Sequence, residues 1–166
     1  MNNNKMSNLT IGAMIAACYV VLTVASAPIS FSEIQFRISE ALTILPFFTP
    51  AAIPGLFIGC IIANTFGGAV IPDIIFGSIA TLIGAIGTYY IGKRIREGGG
   101  QLWTATISPI LANALIVPFV LRYAYAVPLP IPLMMLTVGI GEVISCGIMG
   151  TLLGVALKRV ESIVFK

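Results

Sequence analysis

Residues 133–157 read LMMLTVGIGEVISCGIMGTLLGVAL, with one charged side chain, Glu142. About 20 predominantly apolar residues in a helix cross the hydrocarbon core of a bilayer, so this stretch is long enough to span. A helix on the surface of a soluble protein keeps a polar face, and this one has none. Five further runs share its texture, at 9–26, 38–48, 51–66, 74–92 and 102–121. The second of these is short and holds Pro46, and the third holds Pro54. The pattern predicts an all-α membrane protein: a compact bundle of six transmembrane helices, the second and third short or Pro-broken, in a single domain over residues 1–166. A re-entrant hairpin made from those two runs is the alternative, and either leaves an even number of crossings.

Composition agrees with a membrane location. Hydrophobic residues make up 58% of the 166 and charged residues 9%, against about 25% charged in an ordinary globular chain. The net charge of +3 does not point to nucleic acid, because the basic residues sit in short clusters at segment ends. With no His in the chain, His-ligated metal sites, His general bases and Ser-His or Cys-His catalysis are excluded. Cys18, Cys60 and Cys146 each lie inside an apolar run without a CxxC motif, which fits packing rather than zinc or disulfides. Residues 1–6 and the Ala25-Ser26-Ala27 stretch that follows the first run resemble a cleavable signal peptide in outline. The run is read as a retained first span.

Orientation follows from the basic residues. With a cytoplasmic N-terminus and six crossings, Lys5, Lys93, Arg94, Arg96, Lys158, Arg159 and Lys166 lie inside, and Arg37 and Arg122 lie outside. Both termini are then cytoplasmic. The outer half holds Glu33, Arg37, Glu40, Asp73 and Arg122 at segment ends, and Asn64 near the outer end of the third run. At 1.5 Å per residue Asn113 lies ~12 Å deep in the fifth helix and Glu142 ~14 Å deep in the sixth, so the two could meet at one level. A carboxylate inside a bilayer is a functional-site hypothesis by default, which makes Glu142 the most informative residue. An ion pair with Arg37 or Arg122 is its structural alternative. Arg37 and Glu40, at i and i+3, could pair with each other.

Small residues mark where helices touch. Gly12/Ala16 and Ala13/Ala17 overlap on the first helix, Gly55/Gly59 lie on the third, Gly77, Thr81, Gly84 and Thr88 on the fourth, and Gly147, Gly150 and Gly154 on the sixth. Residues 87–93 match GxxxxGK in letters, but Arg94 replaces the Ser or Thr of a phosphate-binding loop and no strand precedes it. The chain is therefore expected to bind no ATP. No repeat relates its halves, and no catalytic motif lies in its spans, so no enzyme activity, metal or cofactor is expected.

The stretches APISF (27–31), IQFRISEALTILPF (34–47), GLFIGCIIAN (55–64) and DIIFGS (73–78) resemble the QueT family. The likeness is specific over residues 9–94 and looser beyond. These are substrate-binding S-components of energy-coupling factor importers, assigned to queuosine precursors. The resemblance implies a small bundle in the bacterial cytoplasmic membrane that captures its substrate near the outer face and docks on a transmembrane coupling subunit driven by two ATPase subunits. Ala13 and Ala17 match the family's docking motif; packing within the bundle is the alternative for them. If the substrate is the deazaguanine base that the resemblance implies, Glu142 or Glu40 is chemically suited to accept from the ring N–H and exocyclic amine. Asn113 or Gln35 would pair with the ring carbonyl, and Phe36, Tyr123 or Tyr125 would stack on the base. Arg37 and Asn64 complete the expected substrate-binding set. A stand-alone ion-coupled or facilitative carrier of a vitamin-like solute is the competing function.

Overall fold

The computed structural model describes residues 3–26 and 37–159, with side chains from Asn8 onward. Helix α1 covers Asn3–Ala25, α2 covers Ile38–Phe47, α3 covers Ala52–Phe66 and α4 covers Ile71–Gly98. A short turn at Leu102–Thr106 leads into the helix Ile107–Tyr123, and together they form α5. The last span, α6, runs over Ile131–Lys158, with its middle, Val143–Gly150, wound as a π-helix. Four of the six helices are long and apolar enough to cross a membrane, and α2 and α3 are the shorter apolar pair. The six-helix expectation holds, as does the shortness of its second and third members.

In lipid the usual distribution of polarity reverses, and α4 shows how. Ile75, Ile79, Ile83, Ile86 and Tyr90 recur at helical spacing on its exposed side, while Asp73, Gly77, Thr81, Gly84, Thr88 and Gly92 are buried on the other. The small residues let neighbours approach closely. A Cβ on Gly84 would lie 2.7 Å from Pro109 Cα, and one on Gly55 would lie 2.6 Å from the Gly12 carbonyl oxygen. The Gly12/Ala16 stripe of α1 therefore packs on Gly55 and Gly59 of α3, whereas Ala13 and Ala17 are exposed. That separates the two overlapping stripes: one is internal and the other is not.

Helix α2 is the axis of the bundle. Eight of its residues are buried, and it touches α1, α3, α4, the turn into α5, and α6. Its ten residues are wound as a 3-10 helix, which rises ~2.0 Å per residue and so reaches ~20 Å where an α-helix would reach ~15 Å. Arg37, just before it, meets Asp73 near the start of α4. Phe47, at its far end, lies against Gly92, 19 positions along α4, with the Arg96 guanidinium 5.1 Å and the Lys158 ammonium 5.5 Å from its ring centre. The second run thus extends through the depth of the bundle, and the re-entrant hairpin is not formed. Residues 87–93 lie inside α4, with no loop that could cradle a phosphate.

The Gly12–Gly55 contact allows no side chain without separating α1 from α3. Gly55→Ala is expected to destabilise the protein by about 1–3 kcal/mol, the usual range for overpacking. Gly98→Ala, where nothing lies within 4 Å of an added Cβ, should leave thermal unfolding in detergent unchanged. Equal unfolding temperatures for the two variants would contradict the tight α1–α3 contact.

Candidate functional site

Polar side chains excluded from the lipid surface gather around the first turn of α2. Glu40 is 1% exposed, Glu142 3% and Asn113 4%. They come from α2, α6 and α5, three elements far apart in sequence. The Tyr19 hydroxyl of α1 donates to Glu40 Oε1. One turn further along α1, Thr23 Oγ1 donates to Ser39 Oγ at 2.7 Å and ties α1 to α2 a second time.

Glu142 is the last residue before the π-wound segment. Such segments are rare and occur often at functional sites. Four residues on, the Cys146 thiol donates to Glu142 Oε2 at 3.0 Å, while Cys146 Sγ also lies 3.4 Å from the Glu40 carbonyl oxygen and 3.3 Å from Thr43 Oγ1. One acceptor and one donor in this cluster have no hydrogen-bond partner of good geometry, Glu40 Oε2 and Asn113 Nδ2. Asn113 interacts with both carboxyl groups without forming a well-aligned bond to either, and buried polar atoms are nearly always satisfied, so the cluster leaves places where another molecule's polar atoms fit.

A second polar group lies beside the first. Arg37 Nη2 is 3.7 Å from Asp73 Oδ2, and both side chains are buried. Tyr125 Oη donates to the same Asp73 oxygen at 2.9 Å and accepts from the Val70 backbone N–H at 3.3 Å. The residue after Tyr125, Ala126, has a left-handed φ of 53°. Asn64 Nδ2 donates to the Asp73 carbonyl oxygen at 3.4 Å, and Asn64 Oδ1 and Asp73 Oδ1 remain without partners. Outside the spans, burial and the Asp73 carboxylate push the Tyr125 phenol up to about 12.

A family model described as QueT transporter matches residues 9–159. The chain belongs to the QueT transporter family. The queuosine precursor transporter QueT of Lactococcus lactis subsp. cremoris (strain MG1363) is 36% identical to it over 85 residues. That stretch covers 50% of this chain and 50% of that protein. No solved structure matches the chain. Family membership and its long apolar helices make it a multi-pass protein of the bacterial cell membrane.

The QueT-family bundle brings Glu40, Glu142 and Asn113 into one cluster and sets Arg37 and Asn64 in the neighbouring one. Tyr123 lies apart, 78% exposed at the end of α5. Gln35 and Phe36, with the rest of the 27–36 linker, fall outside the described residues. The i, i+3 spacing leaves an Arg37–Glu40 pair open; Arg37 has extended backbone (φ −109°, ψ 111°) before the helix and makes its ion pair with Asp73, while its charge also acts on Glu40 and Glu142. Arg122 does not pair with Glu142, since its guanidinium holds the Val127 carbonyl oxygen at 3.1 Å. Tyr19, Asp73 and Cys146 were not expected at these clusters. In sequence, Tyr19 and Cys146 look like ordinary members of apolar runs.

Removing one partner of a buried ion pair strands the other charge, so Asp73→Asn should cost about 3–5 kcal/mol. Tyr125→Phe deletes one hydrogen bond and should cost about 1 kcal/mol. The Tyr125 phenol is raised above its ordinary value of about 10, so its contribution is complete below pH ~10 and is lost as pH rises toward about 12. Unfolding curves should therefore show a steeper alkaline decline for the wild type than for Tyr125→Phe, and parallel declines would overturn the assignment.

Proposed function

We propose that this chain is the substrate-binding S-component of an energy-coupling factor importer. It captures a queuosine precursor or related deazaguanine at the outer face for ATP-driven uptake by partner subunits. The observation that carries the reading is the buried cluster of Glu40, Asn113 and Glu142, in which Glu40 Oε2 and Asn113 Nδ2 make no well-aligned hydrogen bond. A deazaguanine presents a ring N–H and an exocyclic amine on one edge and a carbonyl next to them. A carboxylate accepts the first two, and the Asn113 amide donates to the third. Hydrogen bonds to a charged group contribute ~1.5–3 kcal/mol each, enough for selective capture. The similarity to the Lactococcus queuosine precursor transporter supports the same substrate class.

Docking falls to the face of α1 that the bundle leaves uncovered. Ala13 and Ala17 are exposed and border an apolar groove of about 560 Å³ that also includes Leu9, Val21, Ile58 and Ile62. A transmembrane coupling subunit with two ATPase subunits is the partner that this face would take. The end of the bundle bearing Arg96 and Lys158 then faces the cytoplasm, as the positive-inside rule requires, and the end bearing Asp73 faces out. A stand-alone ion-coupled or facilitative carrier is the competing reading, since a buried carboxylate pair can also carry a proton or a cation.

Glu142→Gln should weaken deazaguanine binding by the purified chain at least tenfold, the loss of about one charged hydrogen bond, while the protein stays folded. Unchanged affinity would remove Glu142 from the site. Replacing Ala13 and Ala17 with Leu should spare binding by the isolated chain but abolish assembly and uptake. Co-purification of that double variant with the coupling subunit would overturn the docking face. Accumulation of substrate in energised vesicles holding this chain alone would favour the competing carrier.

A further inference from the structure

Helices α4 and α5 touch closely where both carry small residues, at Gly84 and Pro109. Toward the end that bears Asp73, larger side chains take over and the pair borders a groove of about 520 Å³. Pro72 and Phe76 of α4 line it, with Leu115, Phe119 and Tyr123 of α5. Leu115 and Tyr123 are eight residues apart, so the groove runs ~12 Å along the helix. That is close to half of a hydrocarbon core ~30 Å thick, the share of one leaflet. Phe76, Leu115 and Phe119 are about half-exposed, and α1 with its Ala13/Ala17 face takes no part.

Tyr123 also lines a second groove, of about 570 Å³, whose rim carries Arg122 and residues 128–132 at the approach to α6. Arg122 Nη1 donates to the Val127 carbonyl oxygen at 3.1 Å, which fixes the guanidinium at the rim and uses one of its five N–H donors. It forms no ion pair among the described residues. Arg122 is also the one exposed cation at this end among those residues. Arg37 is buried, and Lys93, Arg94, Arg96, Lys158 and Arg159 belong to the far end. No described carboxylate neutralises it, for Glu40, Asp73 and Glu142 are buried and Glu97 is at the far end. An apolar groove one leaflet deep, ending in a tyrosine and an uncompensated arginine, matches the acyl chain, interface and phosphate of a phospholipid in that order. A second copy of the chain fits less well. Two copies meeting here about an axis along the membrane normal would hold their Arg122 side chains at one depth, with no described acid to separate them.

We propose that this groove is a binding site for one phospholipid with an anionic headgroup, its acyl chain along Phe76, Leu115 and Phe119 and its phosphate on Arg122. Tyr123, which the carboxylate cluster leaves aside, stands between chain and headgroup, where membrane tyrosines are enriched. A choline headgroup would bring a second cation beside Arg122, so the site selects an anionic lipid over a zwitterionic one. The proposal does not depend on what the carboxylate cluster binds.

The chain has one tryptophan, Trp103, in the turn that opens α5 at the far end. In the full chain carrying Trp103→Phe and Phe119→Trp, a single indole reports from the middle of the groove. The protein is placed in mixed bilayers of phosphatidylglycerol and phosphatidylcholine, with bromine on the acyl chains of one lipid or the other to quench the indole on contact. Phosphatidylglycerol should occupy the groove about fivefold more strongly, the effect of one arginine near a membrane surface. Adding Arg122→Gln should bring the ratio close to one, and Arg122→Lys should keep most of it. The ratio on the Arg122 chain stands whether or not those variants fold. Equal quenching by the two lipids would overturn the proposal, as would a preference that survives Arg122→Gln. Quenching by neither would show the groove covered by protein, a second copy or another partner, and overturn it as well.

Discussion

A carboxyl group inside a lipid-covered bundle cannot turn to water, so Glu40 and Glu142 must find their hydrogen-bond partners among neighbouring helices. Tyr19 of α1 and Cys146 of α6 are those partners. Asn113 of α5 stands beside both carboxyl groups, and Thr23 joins α1 to α2 through Ser39. Each of these contacts links segments distant in sequence. Polar satisfaction decides which helices stand next to one another, and apolar packing then fills the space between them. Here the hydrophobic effect sets the helices in the membrane, while hydrogen bonds and close packing set their arrangement.

The arrangement also depends on two departures from ordinary helical winding. The 3-10 form of α2 stretches ten residues far enough to meet Asp73 at one end and Gly92 at the other. The π-wound segment of α6 carries Cys146, whose thiol reaches Glu142, and holds Gly150 close to the Ala41 carbonyl oxygen, 3.3 Å from where a Cβ would lie. Both departures lie at the carboxylate cluster. Ordinary winding in either helix would change which side chains face it.

Much of this was legible in the sequence because bilayer thickness is a strong constraint. The six runs, the short second and third members and the meeting of Asn113 with Glu142 follow from counting residues against depth. What could not be read is what periodicity leaves undetermined. Ten apolar residues do not state whether they wind as 3-10 or α, so neither the reach of α2 nor the turn of Arg37 toward Asp73 was visible. Overlapping stripes such as Gly12/Ala16 and Ala13/Ala17 differ by one position, and only the placement of α3 shows which of them is covered. Tyr19 in an apolar run reads as a packing aromatic until Glu40 is placed beside its hydroxyl.

The central position of α2 gives its winding a mechanical meaning. At ~2.0 Å per residue against 1.5 Å, relaxing ten residues from 3-10 to α would shorten the rod by ~5 Å. One end of that rod carries Glu40 and the other carries Phe47, with Arg96 and Lys158 around its ring. A change of length at the carboxylates could not be absorbed locally, because every helix of the bundle touches α2. It would be delivered as a displacement of the aromatic ring and its two cations at the opposite end. The short helix is therefore also a ruler between the two ends of the molecule, graduated in turns of backbone.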